Sequence, residues 1–416
     1  MRILFLSNYY PPFAQGGYEQ WCKEVATELS DRGHEVRVLT SRFTNGNAQL
    51  DGDNLLIHRT LYLELEGGLL QTAMRQLLYR QMLEQKNLDM TRRIVEDFQP
   101  DLAFVWGMWN VPRSIPALVE RLLPGRVVYY LCDYWPSLPS AYEQRWRTTS
   151  NRGSMHWLKK LVGRYYLANL TQETHLELEL NYPICVSHAV KDLLVEACIP
   201  IRHAQIIYGG TQVEEFAVAS SERKFRKGNT PLKLIYAGRL SEEKGVFTAA
   251  GAMKLLKERY KTEITLDVFG DGDPHYVSQL KEFIRAQNNG KNINFRGRVA
   301  HHDMPNILTQ YDSLVFPSKW EEPFARIVLE AMASGLVVIG TTTGGTKEIL
   351  VEGETGLTFP AGDAQVLASQ IERLYHDTQF GLSLANSSQE LVRSEFSFTH
   401  MVDQLESALV KISSNS

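Results

Sequence analysis

Short apolar runs alternate with amphipathic helical patterns along most of this chain, and this alternation limits the possible fold more than any other feature. Apolar runs of strand length that are separated by helical patterns are typical of buried strands in a parallel sheet. The predicted strands of a first series cover residues 2–7, 35–40, 102–106, 127–131 and 183–186, and those of a second series cover 233–237, 265–269, 293–296, 313–317 and 336–341. The pattern therefore predicts an α/β protein.

The two series are separated by a polar stretch at residues 208–230, which contains two adjacent glycines and the run SSERKFRKGNT. Such a composition is typical of an interdomain linker, and a chain of 416 residues is long enough for two domains of ordinary size. We therefore expect two doubly wound, Rossmann-like domains, at residues 1–207 and 231–395, that face each other across a cleft. Residues 396–416 are predicted to form a C-terminal helix that packs back towards the first domain.

The composition argues against several other classes of protein. The net charge of −4 disfavours a nucleic-acid-binding protein, which carries an excess of basic residues. The chain has no apolar run of about eighteen residues or more that could span a membrane as a helix, and its apolar N-terminus lacks the features of a signal peptide. The four cysteines have no metal-type spacing and are expected to be buried, free thiols. These features predict a cytoplasmic protein, with the inner face of the membrane as a further location.

The most informative segment is WEEPFARIVLEAMASG, in which Glu322 and Glu330 stand eight positions apart. Pro323 is accepted in the first turn of a helix and Gly335 suits a helix C-terminus, so one helix is predicted between them. Glu322 would then lie at the helix N-terminus, where unpaired N–H groups favour a phosphate or a hydroxyl-rich ligand. Glu330 would lie two turns further on, on roughly the same face. Because a buried carboxylate needs partners, we interpret the pair as a nucleotide-sugar site rather than as solvated acids.

Two loops that follow predicted strands are suited to bind phosphate. Gly238, Arg239 and Lys244 lie in the strand-to-helix turn AGRLSEEKG, where a guanidinium and an ammonium group could hold a pyrophosphate. Gly16 and Gly17 lie at the start of the first predicted helix, where backbone N–H groups can approach an anion closely. The second loop lacks the G-x-G-x-x-G pattern of a dinucleotide-binding dehydrogenase, and a plain tight turn explains its glycines about as well.

The E-x7-E spacing and the G-R-x-x-x-x-K-G loop resemble the retaining GT-B glycosyltransferases of family 4, the glycosyl transferases group 1. The resemblance covers nearly the whole chain and is most specific in residues 237–348. It implies a nucleotide-sugar co-substrate in place of a cofactor and no metal ion, so that the acids of VFGDGD (268–273) are interpreted as turn residues. It also implies catalytic roles for Arg239, Lys244 and Glu322, with Arg239 and Lys244 on the donor diphosphate. The residues assigned to donor binding are Gly16, Gly17, Gly238, Arg298, Val299, Pro323, Phe324, Ala325, Arg326, Ile327 and Glu330.

The first domain departs from the family pattern at one position. Related enzymes often carry a His-Asp pair after the strand at 127–131, where this chain has Cys132 and Asp133. In this fold the departing phosphate oxygen can accept the acceptor's proton, so a protein base is not required. Asp133 is therefore assigned a catalytic role in which it positions the acceptor or a donor hydroxyl. The alternative is that Asp133 is a structural residue that caps a loop. Ser187, in the run VSHAVKDLL, is predicted to be a helix N-cap. The residues assigned to acceptor binding are Tyr18, Glu19, Trp109 and Trp135.

Together these residues predict a retaining, metal-independent hexosyltransferase that uses a nucleotide diphosphate sugar. UDP-glucose is the favoured donor, and GDP-mannose, ADP-glucose and other UDP-sugars stay open. The acceptor would be a saccharide or a lipid-linked saccharide in polysaccharide or glycoconjugate biosynthesis, and peripheral membrane association is a further expectation. One alternative is a non-catalytic nucleotide-sugar-binding partner in a polysaccharide assembly complex, which the missing histidine keeps open. The other is a sugar-nucleotide epimerase of the same fold, although the histidines and acids expected for it are not seen in the first domain.

Overall fold

The computed structural model describes residues 1–13, 16–42, 55–66, 78–147, 177–220, 230–260, 263–287 and 292–414. The chain forms two compact units, each built around its own parallel sheet. The first unit comprises Met1–Val186, Val190–Ile207 and Val402–Ser416, and the second comprises Ser187–Ala189 and Tyr208–Met401.

The sheet of the first unit has seven strands in the described part of the chain. They are β1 Arg2–Ser7, β2 Glu35–Ser41, β3 Leu56–Leu61, β4 Leu102–Val105, β5 Val127–Leu131, β6 Tyr182–Cys185 and β7 Gln205–Ile206. Their order across the sheet is β3-β2-β1-β4-β5-β6-β7, and the pairs are parallel. The direction of the strand order reverses between β1 and β4, so the loops that follow these two strands diverge and leave a crevice at the carboxyl edge.

Helices connect the strands of the first unit, as parallel pairing requires. They are α1 Gly17–Asp31, α2 Arg80–Phe98, α3 Ser114–Leu122, α4 Ala141–Arg147 and α5 His188–Glu196. Residues Ser187–Ala189, at the start of α5, belong to the second unit. Every residue of β4 and β5 is buried, as expected for central strands that helices cover on both faces.

The second unit repeats this plan with a sheet that has six strands among its described residues. They are β8 Leu232–Ala237, β9 Ile264–Phe269, β10 Ile293–Gly297, β11 Ser313–Phe316, β12 Val337–Gly340 and β13 Leu357–Thr358, in the order β10-β9-β8-β11-β12-β13. Its helices are α6 Val213–Ser220, α7 Val246–Tyr260, α8 Pro274–Ala286, α9 Met304–Leu308, α10 Arg326–Ala333, α11 Ala364–His376 and α12 Thr378–Glu395. Helix α13, Phe398–Ser414, begins in this unit and belongs to the first unit from Val402 onwards. The strand order reverses here between β8 and β11, and the loops after these two strands carry the sequence motifs described above.

The α/β architecture with two parallel sheets is confirmed, and most strands lie within two residues of their predicted bounds. Other elements differ, and strands β3 and β7 were not predicted. The predicted linker contains helix α6, because Phe216 is only 1% exposed and anchors this segment in the second unit. The sequence of residues 356–359 favours a hairpin-like piece, but Leu357–Thr358 pairs in parallel with β12. The patterns above also omit helix α12, whose few buried apolar side chains are separated by serines, asparagine and glutamine.

The sequence of residues 64–98 also favours long helices with apolar stripes; residues 67–77 lie outside the described residues, and α2 is the helix that is described there. Cys22, Cys132 and Cys185 are buried free thiols as expected, but Cys198 is exposed, because it lies in a turn after α5 with a left-handed φ of 63°. Among the described helices, none combines the length and the apolar character needed to cross a membrane.

The last residues of α13, which belong to the first unit, form ion pairs with the end of α1. The Arg32 guanidinium donates to Asp403 at 2.7 Å and to Glu406 at 2.8 Å, and His34 Nε2 lies 2.7 Å from Glu406. These bonds hold the pKa of Glu406 below its ordinary value, with the His34 contact as the largest cause.

Candidate active site

The loop after β8 places Lys244 beside Glu322 in the second unit. This loop continues into a short 3₁₀ helix, Glu242–Lys244, which ends at Gly245 with a left-handed φ of 68°. A Cβ atom on Gly245 would overlap the carbonyl oxygen of Pro317, so only glycine allows the β8 loop to pack directly on the end of β11. Because of this close packing, the Lys244 Nζ atom lies 2.5 Å from Glu322 Oε1.

Glu322 is 8% exposed and lies in the loop between β11 and α10. Its Oε1 atom accepts hydrogen bonds from Lys244 Nζ and, at 2.6 Å, from the hydroxyl of Ser318. Arg239 is exposed at the carboxyl end of β8, and its carbonyl oxygen accepts a hydrogen bond of 2.7 Å from the Tyr236 hydroxyl. The two predicted diphosphate-binding cations therefore lie on one loop, and one of them contacts the predicted sugar-binding carboxylate.

The prediction that Glu322 and Glu330 share one helix is wrong. Helix α10 begins at Arg326, and Ala325 in an extended conformation is its N-cap residue. The preceding backbone cannot be helical because its carbonyl groups have other partners: Glu322 O accepts from the Gly345 N–H at 2.7 Å, and Pro323 O accepts from the Ser187 hydroxyl at 2.7 Å. Glu322 is therefore placed by a loop and not by a helix N-terminus.

Glu330 is 3% exposed and has two hydrogen-bonded neighbours, Arg326 and His301. The Arg326 Nε atom donates to Glu330 Oε1 at 2.7 Å from the preceding turn of α10, and His301 Nε2 lies 2.7 Å from the same oxygen. Burial alone would raise the pKa of Glu330, but the His301 hydrogen bond and the Arg326 charge lower it below its ordinary value. Glu330 is therefore an ionised carboxylate, as a hydrogen-bond acceptor for hydroxyl groups must be.

His301 is a site residue that the sequence reasoning missed. It follows β10 in a 3₁₀ helix, His301–Asp303, only two positions after Val299. Arg298 and Val299, which were assigned to donor binding, lie between that helix and the end of β10 and are exposed and partly exposed, respectively. The His301 contact therefore connects the loop of Arg298 and Val299 to Glu330.

The glycine turn after β12 packs against the Glu322 loop. The Gly344 N–H donates to Glu321 Oε2 at 2.6 Å, and a Cβ atom on Gly344 or Gly345 would overlap the backbone of residues 321–323. Glu348 ends this turn, and its carboxylate accepts hydrogen bonds of 2.9 Å from the N–H groups of His188 and Ala189. Ser187, the predicted N-cap residue, directly precedes this helix, and its hydroxyl donates to the Pro323 carbonyl.

Several residues assigned to donor binding have structural contacts. The ring of Phe324 is 6% exposed and stacks on Tyr208 with centroids 5.4 Å apart, so its side chain belongs to the core of the second unit.

Asp273 caps helix α8 by accepting from His275 and Tyr276 N–H groups, and Asp271 accepts from Gly272 N–H, which agrees with their interpretation as turn residues. Among the described residues, no three His, Cys, Asp or Glu side chains are grouped as metal ligands would be.

In the first unit, the loop after β1 meets the loops after β4 and β5. The Tyr18 hydroxyl donates to Asn8 Oδ1 at 3.1 Å, and Asn8 Nδ2 donates to the Trp109 carbonyl at 2.8 Å. A Cβ atom on Gly107 would overlap the Tyr18 ring, so this ring lies directly across the glycine. Asn8 and Gly107 were not predicted, and the strand-order reversal between β1 and β4 is the signal that could have found them.

The other predicted residues of this unit differ in their surroundings. Glu19 is fully buried, and its Oε2 atom accepts a 2.9 Å hydrogen bond from Gly16 N–H, so it closes the start of α1, which continues with Gly17. Trp109 is partly exposed. Trp135 is 3% exposed, and its ring lies 6.4 Å from that of Tyr129.

Asp133 lies in the turn after β5, where its Oδ1 atom accepts from Trp135 N–H at 3.0 Å. Burial raises the pKa of Asp133 to about 7; the Trp135 hydrogen bond opposes this rise, and the charge of Glu19 adds to it. Asp133 therefore changes its charge near neutral pH, unlike an exposed aspartate.

This pKa predicts how stability depends on pH. The folded protein holds the Asp133 proton up to about pH 7, whereas the unfolded chain releases it near the ordinary value of 3.8. Stability from this group is therefore present at low pH and is lost as pH rises through the folded-state pKa. We expect the unfolding temperature of the wild type, measured at pH 5, 6, 7 and 8, to fall relative to that of Asp133→Asn as the pH rises. The control variant, Asp97→Asn, removes an exposed carboxylate and should show the same pH dependence as the wild type. Parallel curves for all three proteins would contradict the assignment.

Comparisons with known proteins agree with this geometry. Residues 219–391 match the family model of glycosyl transferases group 1. The chain is 26% identical over 409 residues to the glycogen synthase of Mycobacterium tuberculosis, covering 95% of this chain and 91% of the relative. It is also 25% identical over 236 residues to the putative glycosyltransferase YtcC of Bacillus subtilis, covering 53% and 58% of the two chains.

Solved structures show the same fold over the full length. HepE of Anabaena, in complex with UDP and glucose, superposes with a TM-score of 0.70 and 21% identity, over 98% of this chain and 99% of its own. Sucrose-phosphate synthase of Thermosynechococcus elongatus superposes with a TM-score of 0.71 and 19% identity, over 100% of both chains. The matched region contains the loop of Lys244 and both glutamates, and the two parallel sheets are those of the GT-B fold. Residues 219–391 therefore resemble the glycosyl transferases group 1, and the chain shares the GT-B fold of the solved structures that it matches along its length.

Proposed function

We propose that this glycosyltransferase transfers glucose from UDP-glucose, with retention and without a metal ion, to a saccharide or lipid-linked saccharide acceptor. Two kinds of relative support the choice of donor: the HepE structures contain UDP, UDP with glucose, or UDP-glucose, and the Mycobacterium tuberculosis relative is a glycogen synthase. The same choice leads us to propose a cytoplasmic location, where nucleotide sugars are available to the enzyme.

One feature of the site carries this proposal. In both glutamates of the E-x7-E motif, the hydrogen bonds from described residues reach a single carboxylate oxygen: Lys244 and Ser318 contact Glu322 Oε1, and Arg326 and His301 contact Glu330 Oε1. The protein thus orients each carboxylate while its Oε2 atom can accept from a ligand hydroxyl. We propose that Glu322 accepts from the hydroxyls of the transferred sugar and Glu330 from the ribose.

The proposed roles of the cations follow from the charge that the reaction develops. When the bond between the sugar and the diphosphate breaks, negative charge grows on the leaving diphosphate. Arg239 offers a guanidinium fork and Lys244 a compact ammonium group on one loop, and both stabilise that charge. The departing oxygen can take the acceptor's proton, so Asp133 positions the acceptor and need not act as a base.

Calorimetric titration with UDP, GDP and ADP, followed by the matching sugar nucleotides, tests the donor. We expect selective binding of UDP and slow release of glucose from UDP-glucose that continues in EDTA. Selective binding of GDP or ADP would show that the donor carries that nucleotide and not UDP. Activity that is lost in EDTA and restored by a divalent cation would contradict a metal-independent reaction. Absence of binding across the panel would favour a non-catalytic relative.

Replacing Glu322 separates sugar recognition from nucleotide binding. Glu322→Ala should abolish measurable transfer from UDP-glucose, while the affinity for free UDP stays the same or rises, because Lys244 loses the carboxylate that partly neutralises it. Calorimetry with UDP and a UDP-release assay measure the two effects. The control is Glu242→Ala, which removes an exposed carboxylate from the neighbouring 3₁₀ helix. An equal loss of UDP and UDP-glucose binding would show that Glu322 does not recognise the sugar.

A further inference from the structure

A cleft of about 460 Å³ lies in the first unit, where helix α2 faces the ends of β2 and β3. Its lining residues are Arg42, Arg59, Thr60, Tyr62, Lys86, Asp89, Met90 and Arg93. Four of the eight are cationic and only one is acidic, although the whole chain has a net charge of −4. The average composition of this protein therefore does not account for the positive charge of the cleft.

The single acid does not neutralise these cations. The Asp89 carboxylate accepts a 2.8 Å hydrogen bond from Gln85 Nε2, on its own helix. Within the part of the chain that the structure describes, neither Lys86 nor Arg93 has an ion-pair partner. Four like charges in one cleft repel one another, and a multiply charged anion would remove this repulsion.

The cations approach the cleft from two sides. Lys86 and Arg93 are seven residues apart on α2, close to two helical turns, so they lie on the same face of that helix. On the opposite side, the sheet contributes Arg42 and Arg59. Cationic side chains on two sides of a cleft can hold an anion with several oxygens, because the side chains of each side reach a different oxygen.

The two sheet arginines are already oriented. Arg42 Nη1 donates to the Tyr62 hydroxyl at 2.5 Å, and its guanidinium lies 4.7 Å from the centre of that ring. Arg59 Nη1 donates to the Tyr10 carbonyl at 3.0 Å, and its Nη2 donates to the Pro11 carbonyl. These bonds orient both arginines, and a guanidinium has five N–H donors, so Arg42 keeps further donors for a ligand.

Arg59 also connects the cleft to the proposed acceptor site. Tyr10 and Pro11 belong to the loop between β1 and α1, the same loop that leads to Gly16 and Tyr18. A ligand in the cleft that contacts Arg59 would therefore lie one side chain away from this loop.

We propose that this cleft binds a phosphate or diphosphate group of the acceptor, so that the enzyme glycosylates a phosphate-bearing saccharide. The guanidinium forks of Arg42, Arg59 and Arg93 match phosphate oxygens in geometry, and Lys86 adds a compact charge. The acceptor's identity rests on the proposed function, whereas the anion site rests on the cleft alone.

Calorimetric titration of inorganic pyrophosphate into the full-length protein tests the site, with UDP present in saturating amounts so that the donor diphosphate site is filled. The test variant is Lys86→Ala with Arg93→Ala. The matched control, Arg92→Ala with Arg121→Ala, removes the same charge from exposed arginines that do not line the cleft. We expect the wild type and the control to bind pyrophosphate, and the test variant to bind it about tenfold more weakly or worse.

A second arm separates phosphate recognition from attraction to a lipid surface. Sedimentation with phosphatidylcholine vesicles, with and without phosphatidylglycerol, measures binding to anionic headgroups for the same three proteins. Pyrophosphate binding that only the test variant loses supports the proposal. Equal binding by all three proteins, no pyrophosphate binding by the wild type, or a defect of the test variant confined to anionic vesicles would overturn it. Failure of the wild type to bind UDP would instead reject the proposed function. The comparison of the two double variants would still show whether the cleft binds pyrophosphate.

Discussion

Lys244→Ala and Arg239→Ala are each expected to lower kcat for transfer from UDP-glucose by about 100-fold or more, the usual effect of removing one donor that stabilises transition-state charge. Lys244 is held on Glu322 Oε1 at 2.5 Å before any donor binds, so its ammonium group need not be reoriented during the reaction. The leaving diphosphate gains charge in the transition state, and loss of either cation therefore raises the barrier more than it weakens ground-state binding.

Steady-state kinetics and UDP calorimetry on the same proteins measure these effects. The control is Lys254→Ala, which removes an exposed lysine from helix α7 and should keep wild-type kinetics. Lys244→Arg is informative as well, because a guanidinium keeps the charge but not the compact shape that fits beside Glu322. Wild-type turnover in both alanine variants would disprove the assignment of this loop to the diphosphate.

Glu330→Ala is expected to lower the free energy of unfolding by about 3–5 kcal/mol, because it removes one partner of a buried ion pair. Arg326, which is 8% exposed, would lose its carboxylate partner in the interior of the second unit, and His301 would lose the same acceptor. Glu330→Leu removes the same charge and fills the space with apolar atoms, so it tests whether the loss arises from the missing carboxylate beside Arg326 or from a cavity.

Urea unfolding followed by circular dichroism measures this effect. Exposed Glu282→Ala on helix α8 is the control and should change the free energy of unfolding by less than about 0.5 kcal/mol. Combining Glu330→Leu with Arg326→Leu should recover part of the stability, since no buried charge is then left without a partner. A loss below about 1 kcal/mol in Glu330→Ala would mean that solvent or other groups already compensate Arg326.

Much of the fold could be predicted because its signals are local. A buried strand such as Val127–Leu131 consists of adjacent apolar residues, and its bounds are therefore visible in the sequence itself. Helix α12 was not predicted because its apolar positions are sparse, and its place depends on packing against β12 and α10. Helix α6 was hidden for a similar reason, since the surrounding residues are polar and charged and Phe216 reveals its role only in the folded unit.

The sequence determined by itself which chemical groups the proposed donor site contains. Arg239, Lys244, Glu322 and Glu330 are recognisable from residue type and spacing, because a diphosphate and a sugar each require particular charges and acceptors. The tertiary structure decided how these groups are arranged. Helix α10 begins at Arg326 and not near Pro323 because the carbonyl groups of residues 322 and 323 bond to Gly345 and Ser187, which are distant in the sequence. For the same reason His301 and Ser318 became visible only in the structure: hydrogen bonds between distant segments depend on where the strands end, and residue spacing does not contain that information.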